Sequence, residues 1–380
     1  MRDEAKPDPW LLILPPDRNP ASQRRILGLP AARFFGGRPA QQGLGRISSL
    51  PATADETPLR FSADPASWIG AVAMAGTVSE LKFLVPWGHI AAKAWGSPKG
   101  RPVLCIHGWL DNAGTFNRLI PLLPTDCYYV AIDLVGHGFS SHRPAGLPYN
   151  FMDYVGDVRR VAAALKWDRF TVIGHSMGGS VAGLFSCVFP ELVEKLILLE
   201  SYGFYPLTKD SKILHSARAV TEYLLKSESS SHLSSNVHTP EAALQRLLEA
   251  NSNLTEETGK ILLERGVTEV AGGFVFTRDM RIHMLFCNSM PMDYVINFLK
   301  RIQADILMIT TRDGLFMKES EMFPRNFLVQ VLEGYRTFLK ERFNRVIVPG
   351  NHFVHLNEPE VVSGIISTFI NKDLSPKARL

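Results

Sequence analysis

Ser176 lies in Gly174-His175-Ser176-Met177-Gly178, a stretch that fits G-x-S-x-G, and the chemistry open to such a serine is attack on a carbonyl carbon. A serine hydroxyl is a weak nucleophile until a base takes its proton, and that base needs a carboxylate to hold its ring. Both partners occur further on, in the order serine, acid, histidine. Asp313 stands just beyond the apolar run ILMITT, and His352 just beyond RVIVP. The expected catalytic residues are therefore Ser176 as nucleophile, Asp313 as acid and His352 as base, working through an acyl-enzyme on Ser176.

Each partner role has a rival. Glu200 directly follows KLILL and offers a second carboxylate at a strand end, so the acid is open between Asp313 and Glu200. His355 lies three residues past His352, but His352 is nearer the strand and directly follows Gly350-Asn351. His175 is expected to pack beside the nucleophile, and His107 to brace the loop after an earlier strand. The oxyanion formed on attack needs two backbone N–H donors. Met177, which follows the nucleophile, supplies one, and Trp109, after the flexible Gly108, supplies the other.

These groups must be delivered by strand ends. Short apolar runs at Pro102–Ile106, Tyr128–Ile132, Phe170–Ile173, Lys195–Leu199, Ile306–Thr310 and Arg345–Val348 read as strands buried on both faces. A hairpin is expected from Leu81–Val85 and His89–Trp95 around Pro86-Trp87-Gly88. Helical patterns occupy Thr115–Leu123, Asn150–Leu165, Met177–Phe189, Phe323–Phe343 and Pro359–Asn371. Alternating strands and helices make an α/β fold with a mostly parallel, doubly wound sheet, whose strand C-termini gather active-site groups. The core is expected at 77–202 and 301–372. Residues 203–300 lack convincing strands and read as an inserted helical cap, with helices at Ser211–Leu225, Glu241–Ala250, Glu256–Arg265 and Met292–Arg301.

Four stretches together resemble the α/β-hydrolase superfamily: HGWLDNAGTFNRL (His107–Leu119), DLVGHGFS (Asp133–Ser140), GHSMGG (Gly174–Gly179) and NHFVHLNEPE (Asn351–Glu360). Within it, the chain looks most similar to the vertebrate serine hydrolase-like proteins. The resemblance covers about Leu81 to Ile370 and implies the α/β-hydrolase fold. It also implies Ser176, Asp313 and His352 as catalytic residues and the Met177 and Trp109 amides as the oxyanion hole. The Asp133 loop is similar to a structural element that shapes the rim of the site. One departure concerns the acid: 39 positions separate Asp313 from His352, more than in compact members, which keeps Glu200 in contention. Haloalkane dehalogenases and epoxide hydrolases of the superfamily use an aspartate as nucleophile, so Ser176 argues for acyl transfer to water.

Composition bounds the remaining classes. With 46% hydrophobic and 21% charged residues, the 380-residue chain can bury a sizeable core. A net charge of +4, with the basic residues scattered, does not make the concentrated face that nucleic acid needs. No apolar run reaches the length of a membrane span, and the Met1 end has no signal-peptide pattern. The four cysteines lack metal-ligand spacing and read as buried thiols. No metal, no phosphate-cradling loop and no cofactor are expected. Residues 1–76 carry six arginines between Arg18 and Arg46 and read as a disordered extension, with Met74 as an alternative domain start. The tail 373–380 ends Ala378-Arg379-Leu380, which resembles the Ser-Lys-Leu peroxisomal address and points to an import receptor as partner, placing the chain in peroxisome or cytoplasm. Phe274–Phe276 and Met284–Phe286 are apolar enough to line a pocket for an uncharged small-molecule acyl substrate or to form the cap's own core. A serine esterase or thioesterase is the leading reading; a catalytically silent binding protein of the same fold and an acyltransferase are its alternatives.

Overall fold

In the computed structural model the described residues are 69–72, 78–205, 210–229, 236–284, 290–317 and 324–372. The tail 373–380, most of the 1–76 extension and Met74 lie outside them. Ile69–Val72 is an exception to the expected disorder. It forms strand β1, antiparallel to β2 (Val78–Val85), with Ile69 opposite Phe83.

The other strands of the main sheet are β3 (Gly88–Trp95), β4 (Arg101–Ile106), β5 (Cys127–Ile132), β6 (Phe170–His175) and β7 (Val193–Leu199). Two more are numbered here as β10 (Asp305–Thr311) and β11 (Phe343–Val348), after the hairpin β8 (Val267–Val270) and β9 (Gly273–Phe276). The nine strands are ordered β1-β2-β3-β5-β4-β6-β7-β10-β11. From β5 through β11 neighbouring strands run parallel, while β1, β2 and β3 form an antiparallel edge. Every residue of β5 and β6 is buried, as their unbroken apolar sequences require.

The pleat explains the two cores. Leu104 and Ile106 of β4 join Val172, Leu196, Leu198, Ile306 and Met308 on one face. Helices α1 (Phe151–Ala164), α2 (Met177–Val188) and α7 (Arg325–Leu339) supply the residues packed against them. Val103 and Cys105 point the other way, with Ile173, Ile197, Leu199, Leu307 and Ile309, against α9 (Glu360–Asn371). Successive side chains of a strand alternate faces, so one apolar run feeds both cores. The chain leaves β4 for β5 on one side and reaches β6 on the other. That reversal opens a crevice at the carboxyl ends of β4 and β6.

Two expectations change. Thr115–Leu123 is not an α-helix but two 3-10 turns, Ala113–Phe116 and Ile120–Leu122, the second with Pro121, whose ring nitrogen cannot donate. The 203–300 interval holds α3 (Asp210–Ser229), α4 (Pro240–Ala250), α5 (Glu256–Gly266) and α6 (Met292–Leu299), but it also holds strands. β8 and β9 pair antiparallel across Ala271-Gly272, with Gly272 at φ +92°. Val267 and Val270 facing Phe276 and Gly273 make a short hairpin that four-residue strands conceal from periodicity. Among the described residues no helix is long and apolar enough to cross a membrane. No group of three or more His, Cys, Asp or Glu among them is placed to hold a metal. Cys105, Cys127 and Cys187 are buried free thiols.

Candidate active site

Ser176 joins β6 to α2 with φ +51° and ψ −118°, a backbone conformation that a non-glycine residue holds only where its surroundings enforce it. Its own N–H donates to Leu199 O at 3.0 Å, tying the turn to the end of β7. The flanking glycines have no room for side chains. A Cβ on Gly174 would lie 2.6 Å from Gly178 O, and one on Gly178 would lie 2.2 Å from Ile106 O. The strand, the turn and the helix thus approach so closely that Ser176 is raised, partly exposed, above buried neighbours. Met177 is the first residue of α2, so its N–H has no acceptor within the helix and belongs to the positive end of the helix dipole.

His352 follows β11, and its ring meets a carboxylate, that of Glu200. The Nδ1 to Oε2 distance is 3.1 Å, with both side chains buried. Glu200 sits one residue past β7 at φ +46°, and its N–H donates to Ile309 O at 2.8 Å. Its carboxylate also accepts from Thr311 N at 2.6 Å and Leu315 N at 3.2 Å. Gly314 leaves the space: a Cβ there would lie 2.2 Å from Glu200 Oε2 and 2.3 Å from Thr311 Oγ1.

This arrangement corrects the expectation for Asp313. Its side chain is exposed, and its backbone N–H donates to Gly350 O at 3.2 Å. The turn after β10 brings backbone N–H groups to Glu200 rather than a carboxylate to His352. The physical reason is that a buried carboxylate needs fixed donors, and Thr311 and Leu315, in Asp313's own turn, offer them to Glu200 at the end of the neighbouring β7. The sequence signal was present in the glycine of Arg312-Asp313-Gly314.

Several other histidines brace the loops around this pair. His355 is fully buried, with Nε2 at 2.9 Å from Thr115 Oγ1. His175 donates from Nε2 to the backbone oxygen of His352 at 3.0 Å, pinning the loop that carries the base. Burial, together with the neighbouring His355 and His352, holds His175 well below the usual imidazole range, so its ring is neutral. On the β4 loop, His107 donates from Nδ1 to Gly108 O at 2.7 Å and accepts from Leu134 N at Nε2, 2.9 Å. Burial pushes its pKa down to about 4. A residue that spacing alone did not single out is His137, whose Nε2 accepts from Leu110 N at 3.3 Å. Together these bonds fix the backbone from Gly108 to Leu110, the stretch carrying the Trp109 amide. A Cβ on Gly108 would lie 3.4 Å from Ser176 Cβ, which shows how closely this loop approaches the nucleophile.

The rim is held by an ion-paired group. Asp133 is completely buried and accepts from Ala113 N, Phe139 N and the Arg265 guanidinium, with Arg265 Nη2 at 2.7 Å. Arg265, in the last turn of α5, also reaches Glu80 of β2 at 2.6 Å. A small cleft of about 20 Å³ lies between Leu110, Asp111, Asn112 and Gly138 of the core loops and Leu247, Leu262, Phe276 and Arg278. Phe276, but not Phe274 or Val275, lines it, and the side chains of Met284–Phe286 lie outside the described residues. Neither Ser176 nor His352 lines this cleft. It adjoins them through Asp111, whose Oδ2 is 3.9 Å from His175 Nδ1.

Comparison with known proteins agrees with the fold. A family model described as alpha/beta hydrolase fold matches residues 101–256. The chain is 47% identical over 301 residues to serine hydrolase-like protein 2 of Homo sapiens, covering 78% of this chain and 96% of that one. Among solved structures, the hypothetical protein PA1622 from Pseudomonas aeruginosa PAO1 superposes with a TM-score of 0.66 at 29% identity, over 77% of this chain and 99% of that one. A thioesterase domain from the curacin biosynthetic pathway superposes with a TM-score of 0.64 at 25% identity, again over 77% and 99%.

Proposed function

From the premise that this chain belongs to the α/β-hydrolase superfamily, among the serine hydrolase-like proteins, we propose that it is a serine hydrolase cleaving an ester-type bond, carboxylester or thioester, through an acyl-enzyme on Ser176. The observation that carries this reading is the strained Ser176 turn, set at the same sheet edge as the buried Glu200–His352 pair. With Nδ1–H engaged by Glu200, His352 keeps the Nε2 lone pair, the tautomer a general base requires. In the proposed cycle His352 Nε2 takes the Ser176 hydroxyl proton as Oγ attacks the carbonyl carbon. The oxyanion is met by the backbone N–H groups of Met177 and Trp109. His352 then protonates the leaving alcohol or thiol, and the same steps with water release the acid and restore Ser176.

Glu200 takes the part first expected of Asp313: it orients His352 and stabilises the imidazolium that forms. All the groups invoked come from the chain itself. Labelling with a fluorophosphonate tests the proposal. Folded wild type is expected to label, and Ser176→Ala and His352→Ala are expected not to. Absence of labelling in folded wild type would overturn the hydrolase mechanism.

A further inference from the structure

Three well-enclosed arginines among the described residues are matched to carboxylates. Arg143 pairs with Asp157, Arg265 with Asp133 and Glu80, and Arg281 with Asp279. Arg278, between β9 and the 3-10 turn Met280–Met284, has no carboxylate, and its Nε is buried with no hydrogen-bond partner. Its guanidinium lies over the Phe276 ring, 4.3 Å from the centroid, and the residue lines the cleft. Beside it, both ring nitrogens of His283 are buried and unpartnered. A further cation, the exposed Arg246 of α4, acts on both groups.

Burial and Arg246 push the Arg278 guanidinium down to about 10, while burial, Arg278 and Arg246 push the His283 imidazole down to about 4. At neutral pH this leaves a charged guanidinium and a neutral ring, each with N–H groups the protein does not use. An unmatched, largely enclosed cation is costly unless something anionic completes the set. Asp111 lines the same cleft, but its free Oδ2 faces His175, not Arg278.

The cluster is also tied to the catalytic side. The Trp109 indole packs edge-on against His283, with centroids 5.7 Å apart, and its Nε1 donates to Ile282 O at 3.1 Å. Trp109 follows Gly108, the residue whose Cα approaches Ser176. One side chain therefore separates the cationic cluster from the loop that flanks the nucleophile.

Resting on the hydrolase reading above, we propose that Arg278, His283 and Arg246 form an anion subsite that holds a carboxylate or phosphate group of the substrate, remote from the scissile carbonyl. The charged end of the substrate meets Arg278, at a cleft with Leu110, Leu247, Leu262 and Phe276 in its walls. This narrows the expectation of an uncharged substrate: the cleft is apolar in its walls and cationic at one end.

Two measurements on the full chain test it. The first uses Ser176→Ala, so that no turnover intervenes, and reads binding of glutarate and of inorganic phosphate by calorimetry. Saturable binding that weakens at least tenfold on adding Arg278→Gln is expected. The preferred anion then names the charged group, and no binding of either anion would overturn the subsite. The second compares nitrophenyl monoglutarate with the neutral nitrophenyl valerate. Wild type is expected to show at least a tenfold lower KM for the charged ester, and Arg278→Gln to raise that KM at least tenfold more than the neutral one's. Arg246→Gln, at an exposed helix position that folding tolerates, is expected to narrow the preference by a smaller factor. Equal KM values in wild type would overturn the subsite while leaving the hydrolase intact. Loss of fluorophosphonate labelling with anion binding retained would overturn the hydrolase and leave the subsite standing.

Discussion

Exchanging Glu200 for glutamine replaces a group that accepts three hydrogen bonds by one that accepts only at its oxygen. The wild-type carboxylate takes Thr311 N at 2.6 Å on Oε1, and Leu315 N at 3.2 Å together with His352 Nδ1 at 3.1 Å on Oε2. If the glutamine oxygen turns toward His352, the short Thr311 bond is lost and two N–H donors face each other. If the oxygen stays on Thr311, the longer, half-buried Leu315 bond is lost and its N–H faces the new NH2, which donates to Nδ1 of His352. The second orientation wins, because an unpaired buried donor costs about 1–3 kcal/mol and the shorter bond is the worse one to lose. It also moves the imidazole proton to Nε2, where it blocks transfer from Ser176. An analogous tautomer error costs about 10⁴ in kcat, or about 5 kcal/mol of barrier. Glu200→Gln is therefore expected to lower the ester kcat by about 10³–10⁴-fold, with the melting temperature down by only about 2–10 °C. Asp313→Asn, at an exposed side chain, should stay within about threefold of wild type. Gly314→Ala should cost about 10²-fold, because its Cβ displaces the Glu200 carboxylate from 2.2 Å away. Rates on a nitrophenyl ester, each with a thermal melt, decide the matter. Equal damage from Asp313→Asn and Glu200→Gln, or a folded Glu200→Gln within tenfold of wild type, would refute the assignment.

Arg265→Met strands the buried Asp133 without its cation and is expected to cost about 3–5 kcal/mol, read as a fall in melting temperature of about 10 °C; a loss below about 1 kcal/mol would contradict the ion-pair account. Asp111, whose carboxyl is pushed up to about 7 by burial, binds its proton more tightly folded than unfolded, so it makes the fold less stable as pH rises from about 4 to 7. Melting curves across that range are expected to fall for wild type relative to Asp111→Asn by up to about 1.4 kcal/mol per pH unit, and to run parallel above pH 8.

The central parallel strands were legible because strands buried on both faces leave apolar runs, whereas β1 fell in a segment expected to be disordered; the Ser176 turn was legible because close packing of strand against helix demands glycine. His352 was legible from its place past the last strand. The identity of its partner was not, since two carboxylates follow neighbouring strands and a one-dimensional reading cannot tell which is enclosed. What separates them is the set of Thr311 and Leu315 amides and the empty place at Gly314, all of which belong to the turn around the acid rather than to the acid. The β8–β9 hairpin was hidden by strands of four residues each. The Arg246, Arg278 and His283 cluster was hidden by its origin in separate elements, and only the missing carboxylates single it out.

Placing the acid directly after β7 has a consequence for how this protein can vary. The turn beyond β10 contributes the Thr311 and Leu315 amides and the space at Gly314, while the side chain of Asp313 stays exposed. Position 313 is thereby uncoupled from the Glu200–His352 pair and can change in charge or size without shifting either group. Variation there is a dial the hydrolytic core does not feel, which makes it a natural place to attach a small label.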